Sequence, residues 1–148
     1  MVKQFGIDIA EDVKIDKMHL ELENEWYPAK YQFYSDALAG ARSELDLAKD
    51  NLDATEARRE LYWRRNPPDD LKVTESVITA LVNDDGEVQK AKELVRVAQE
   101  TVNTLYSATN SLDKVGTAID NLTKLAIAKY YQTTGEVKDT VGESKFGH

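Results

Sequence analysis

Four arginines around two aromatic rings form the one concentrated patch of chemistry in this chain: Arg58-Arg59-Glu60-Leu61-Tyr62-Trp63-Arg64-Arg65, followed by Asn66-Pro67-Pro68. A guanidinium grips a phosphate through two parallel N–H donors. An exposed aromatic face stacks on an unpaired base, worth about 1–3 kcal/mol per base. Arg58, Arg59, Tyr62, Trp63, Arg64 and Arg65 are therefore the candidate nucleic-acid-binding residues. The same residues also admit a structural reading, in which Leu61 and Tyr62 close a hairpin core and the arginines complement the negative C-terminal end of a long helix.

Charge distribution sharpens the contrast. The whole chain carries a formal −8, which argues against a generic nucleic-acid coat protein, because phosphate neutralisation needs clustered cations. Residues 1–28 hold three lysines against seven acids and residues 66–85 one lysine against five acids, so each segment is −4, whereas residues 58–65 hold four arginines against one glutamate, or +3. An acidic protein with a single basic knot can hold an anion there without long-range steering.

Other chemistries lack their residues. There is no cysteine, and the two histidines, His19 and His148, stand far apart, so no transition-metal set exists. Asp84-Asp85-Gly86-Glu87 lacks the spaced oxygen ligands of a calcium loop and reads as a helix cap. No glycine-rich phosphate loop or nucleophile elbow is present, and the expectation is a protein that is not an enzyme and uses no cofactor. A second aromatic group, Trp26, Tyr27, Tyr31, Phe33 and Tyr34, offers another stacking platform in principle. Tyr31 and Tyr34 fall on a heptad seam, which makes them core.

That seam defines the elements that position the knot. Tyr31, Tyr34, Leu38, Ala41, Leu45, Ala48 and Leu52 recur at alternating spacings of three and four, as do Val88, Ala91, Val95, Ala98, Val102, Leu105 and Leu112. Each run is one apolar stripe along a helix. With only seven glycines and three prolines, the chain has too few breaks for a β-rich fold. The spacing predicts an all-α fold: two very long antiparallel helices, about 28–65 and 86–131, in a helical hairpin, with short helices near 16–25 and 74–82. At 1.5 Å per residue the long arms would run roughly 55 and 70 Å. Asp16 and Thr74 are the expected caps of the short helices, and Val77, Ile78 and Leu81 the inner face of the second. Residues 1–132 form the expected helical domain. Residues 133–148, polar and aperiodic, form the expected disordered C-terminal tail.

The stretch Ala118 to Tyr131 is apolar around most of the helix, more than one neighbouring arm can cover. Ile119, Leu122, Leu125 and Ile127 are therefore candidate oligomer-interface residues, with Met18, Leu20 and Leu22 as partial cover. No apolar run approaches the ~20 residues needed to cross a bilayer, so no membrane partner is expected and the cytoplasm is the default compartment.

The order of parts resembles the UvsY-type recombination mediators of T-even and related bacteriophages. The matching residues are Ile15-Asp16, Tyr31 and Tyr34, Ala57-Arg58 with Tyr62, Thr74-Glu75 with Ile78, and Gly116-Thr117-Ala118-Ile119, spread over most of residues 13–131. The family's basic motif falls on Glu56-Ala57-Arg58, with an acid at its first position. The resemblance implies a ring-forming homo-oligomer without catalytic activity. Such a protein binds single-stranded DNA and assists loading of a strand-exchange recombinase in place of a single-strand-binding protein, in the bacterial host cytoplasm. The alternative is a helical structural or assembly protein acting only through protein–protein contacts.

Overall fold

The computed structural model describes residues 4–143, and the side chains of residues 4–134. Its elements are α1 (Ile9–Asp12), α2 (Leu20–Arg65), α3 (Glu75–Asn83) and α4 (Gly86–Glu143), with no strand among the described residues. α2 and α4 pack against each other as an antiparallel helical hairpin, as the seams require. Contacts divide the chain into two compact units, Met1–Tyr34 with Ala108–His148, and Ser35–Ser107.

In the second unit the seam is the core. Leu38, Ala41, Leu45 and Val102 are buried together, with Val95, Ala98 and Leu105 packed against them. Alanine at alternate seam positions keeps the interdigitating side chains small, and leucine or valine opposite fills the gap. A separate cluster at the hairpin turn joins Ile78, Val82 and Val88, flanked by Leu52 and Trp63. Thr74 caps α3 as expected, its hydroxyl accepting from the Val77 N–H. The buried face of α3 is Ile78 and Val82, while Val77 and Leu81 are half-buried.

In the first unit Tyr34, Leu112, Val115 and Ile119 are buried. The Tyr27 hydroxyl donates to the Leu112 carbonyl at 2.8 Å, and its ring occupies the space where Gly116 has no side chain. A Cβ on Gly116 would lie 2.5 Å from Tyr27 Cζ. Gly116 is thus more than a tolerated gap in helix propensity: it makes room for a tyrosine.

Two boundaries differ from the expectation. The short helix expected near 16–25 does not stand alone. Asp16 caps a turn, its carboxylate accepting from the Met18 N–H at 2.9 Å, and α2 then begins at Leu20 and passes through Pro28 without a break. A proline in a helix interior deletes one backbone hydrogen bond. Here side chains anchor the helix on both sides of it, Asn24 to Thr123 and Tyr27 to Leu112 before it, Lys30 and Tyr34 to Asp12 after it. The second difference is that α4 runs past 131 to Glu143. Thr133 and Thr134 return their hydroxyls to the carbonyls of Lys129 and Tyr130 at 2.9 and 2.6 Å, and no proline follows to stop the helix. The first part of the expected tail is therefore helical, and residues 144–148 lie outside the described residues.

Gly116→Ala should destabilise the protein despite a propensity gain of about 1 kcal/mol, because the Tyr27 ring must move and its bond to Leu112 is lost. A double-mutant cycle with Tyr27→Ala in urea unfolding checks this. The combined loss should fall well short of the sum, whereas additivity would mean that the two positions do not meet.

Candidate nucleic-acid interface at the hairpin turn

The basic knot occupies the last turns of α2, and the acidic segment that follows folds back onto it. Its organiser is Asp85, 6 % exposed. One carboxylate oxygen accepts from the Glu87 N–H at 2.9 Å, capping α4. The other accepts from Arg59 Nε at 2.8 Å and from Trp63 Nε1 at 3.0 Å. Burial by itself would raise the Asp85 carboxyl. The hydrogen bonds from Arg59, Glu87 and Trp63, with the Arg59 charge, outweigh it and hold the group below the usual aspartate range.

The remaining arginines are also placed. Arg58 pairs with Glu87, and Arg59 reaches the same glutamate at 3.6 Å. Arg64 binds Glu60 Oε1 at 2.7 Å and grips both oxygens of Glu75 at 2.9 and 2.7 Å, joining the end of α2 to the start of α3. The Arg64 hydrogen bonds and charge hold Glu75 low, and the Arg58 hydrogen bond does the same to Glu87. Arg65 is exposed, with no ion pair among the described residues. The Arg59 guanidinium lies 4.1 Å from the Tyr62 ring centroid, and Tyr62 meets Trp63 edge to face at 5.1 Å.

The six predicted residues therefore sort into two groups. Arg59 and Trp63 build the turn: Trp63 is half-buried against Ile78, Val82 and Val88, and its indole N–H is spent on Asp85. Arg58, Tyr62, Arg64 and Arg65 stay on the surface. In space three of the four arginines, Arg58, Arg59 and Arg64, meet Glu60, Glu75, Asp85 and Glu87, so the +3 of the linear segment is offset by Glu75 of α3 and by Asp85 and Glu87 at the start of α4. The −4 of residues 66–85, directly following the knot, was the sequence signal for this pairing. Beside it Glu56, Glu60 and Glu75 line a small cavity of about 190 Å³ floored by Ile78 and Val82.

The candidate oligomer residues also separate. Ile119 is buried in the core of its own unit, Leu122 is half-buried, and Leu125 and Ile127 are exposed. Ala126, Ile127, Tyr130 and Tyr131 form, with Leu20 and Asn24, an open apolar groove of about 600 Å³. Met18 is 84 % exposed and covers nothing. Among the described residues no cluster of histidine, cysteine, aspartate or glutamate could hold a metal ion, and no helix is long and apolar enough to cross a membrane.

Neither protein-family models, nor curated proteins, nor solved structures give a match to this chain.

Asp85→Ala should remove the α4 cap and leave the Trp63 N–H without an acceptor, lowering stability by about 2–3 kcal/mol. The pH dependence follows from the lowered carboxyl. Its contribution is complete above the unfolded aspartate range, near pH 4, and is lost as pH falls further. Thermal unfolding from pH 6 to pH 2 should therefore show a smaller acid-side decline for Asp85→Asn than for the parent. Equal declines would show that Asp85 is not held low.

Proposed function

We propose that this protein is a phage-type recombination mediator, a non-enzymatic homo-oligomer that binds single-stranded DNA and assists loading of a strand-exchange recombinase in competition with a single-strand-binding protein. The observation that carries this reading is the sorting of the basic knot. Asp85 holds Arg59 and Trp63 as a rigid base, and Arg58, Tyr62, Arg64 and Arg65 project from it to solvent. Exposed ion pairs are screened by water and salt and contribute little, so a phosphate can replace Glu87 on Arg58 or Glu75 on Arg64. Tyr62, 43 % exposed, takes the stacking role in place of Trp63. The exposed Leu125, Ile127, Tyr130 and Tyr131 supply a self-association face, and repetition of the turn around an assembly turns weak sites into one multivalent site. The reaction medium is the cytoplasm of a bacterial host.

One observation favours a second reading, an assembly protein that acts through protein contacts alone: Arg58, Arg59 and Arg64 already have carboxylate partners in a chain of net −8. Titration of labelled single-stranded DNA at several salt concentrations separates the two. Under the mediator reading, replacing Arg58 and Arg65 together by alanine weakens binding without sequence preference and lowers the log–log salt slope by roughly 0.7 per contact. Tyr62→Ala weakens binding with the slope intact. No binding by the folded parent at low salt sinks the mediator reading and leaves the assembly protein.

Light scattering at micromolar concentration should give a mass several times that of one chain, reduced to the single-chain value when Leu125 and Ile127 are both replaced by aspartate, because each buried apolar side chain contributes about 2 kcal/mol and a buried charge adds a penalty. A parent that is a monodisperse monomer would remove the oligomeric part of the reading.

A further inference from the structure

Residues 4–16 precede α2 and fold back onto its first turns. Asp12 is the only buried residue among them; Phe5, Ile9, Val13 and Ile15 are half-buried and Ile7 is exposed. What fixes the segment is a polar network around a buried lysine. Lys30, 1 % exposed, donates to the Asp12 carbonyl at 2.9 Å, stands 3.9 Å from Glu23 Oε2, and lies 5.7 Å from the Phe5 ring centroid. The Asp12 carboxylate accepts from the buried Tyr34 hydroxyl at 2.6 Å and from the Gly6 N–H at 2.8 Å. Glu23 Oε1 accepts from the Asp16 N–H at 3.1 Å, while Glu23 Oε2 is buried without a hydrogen-bond partner. Gly6 has φ +83° and lies so close to Phe33 that a Cβ would come within 2.5 Å of the ring.

We propose that residues 4–16 form a detachable clasp, latched by Asp12 and Gly6, whose opening uncovers Lys30 and Tyr34 while the helices beneath stay folded. A segment that places one carboxylate in the core and is otherwise half-buried or exposed opens more readily than the parts of α2 and α4 joined by the apolar cluster of Leu38, Ala41, Leu45 and Val102. The network beneath is tuned for closure, not for burial. Asp12 supplies a partner to both Lys30 and Tyr34 while the clasp is closed, and Glu23 stays beside Lys30 as an ionic partner when the clasp leaves. The clasp carries Asp8, Glu11, Asp12 and Asp16, so closing sets acidic residues over an end of α2 that otherwise presents an ammonium, a phenol and the Phe33 ring. The device is independent of the DNA-binding reading.

Amide hydrogen exchange of the full chain tests it, together with acylation of lysines by N-hydroxysuccinimidyl acetate read by peptide mass spectrometry. In the parent, the Gly6 and Asp16 amides should exchange at least about tenfold faster than the seam amides at Leu38, Leu45 and Val102, and Lys30 should acylate with the opening rate of the clasp. Gly6→Ala, through backbone strain and the Phe33 ring, and Asp12→Ala, through the latch, should each accelerate both signals by about tenfold or more and leave the seam amides unchanged. Exchange of the clasp in step with the seam would overturn the proposal, as would Lys30 that stays protected in both variants.

Discussion

The hairpin turn depends on one buried carboxylate. Asp85 begins α4, ends the α3 connection and receives the two side chains that give the end of α2 its shape. The buried carboxylate is compensated by three donors at once, the Glu87 N–H, the Arg59 guanidinium and the Trp63 indole, so the loss of any one weakens the hold on the others. Once Trp63 is fixed, its ring closes the apolar cluster of Ile78, Val82 and Val88, and the short α3 acquires a surface to pack on. A nine-residue helix has little stability of its own, so its position follows from this cluster and from Arg64 holding Glu75 at its first turn.

This arrangement changes what the basic knot can do. Read along the chain, the arginines are a cation patch; read in space, Arg58, Arg59 and Arg64 are the cationic half of an ion-pair network whose acidic half is Glu60 of α2, Glu75 of α3, and Asp85 and Glu87 at the start of α4. The network divides labour by burial. Arg59, 16 % exposed at its side chain, and Trp63 are committed to the turn. Arg58, Arg64 and Arg65 are exposed, and water competes for the carboxylates that Arg58 and Arg64 hold. An anion at this turn would meet Glu60, Glu75 and Glu87 as well as the arginines.

The first unit is governed by a different constraint, the fit of polar side chains into helix faces. Tyr27 needs Gly116, and Tyr34 and Lys30 need Asp12. The Tyr34 hydroxyl is pushed far above the usual tyrosine range, first by burial and then by its bond to Asp12, and so remains a donor at every working pH. Helix packing through bulky polar groups favours one register, since sliding would strand each donor.

The long arms were legible from spacing alone. Every seam residue from Tyr31 to Leu52 and from Val88 to Leu112 is buried or half-buried, because a heptad stripe has only one way to leave water. The cap at Thr74 was likewise visible, and the stretch around Asp84-Asp85-Gly86 was visible as a cap without showing which aspartate serves, since orphan N–H groups at a helix start select such residues. What the sequence could not decide was partnership. Whether Trp63 stacks outward or packs inward depends on whether an acceptor lies within reach of its N–H, and Asp85 comes there only by folding of residues 66–85. Ile119 and Leu125 look alike in the sequence, yet the first is buried and the second exposed, for a helix apolar on every side does not state which side a single neighbour will take. Asp12 and Lys30, eighteen residues apart, meet only because the chain reverses between them. Local propensity and periodicity are properties of neighbours along the chain, and they fixed the helices; ion pairs and hydrogen bonds are properties of neighbours in space, and only the tertiary structure assigned them.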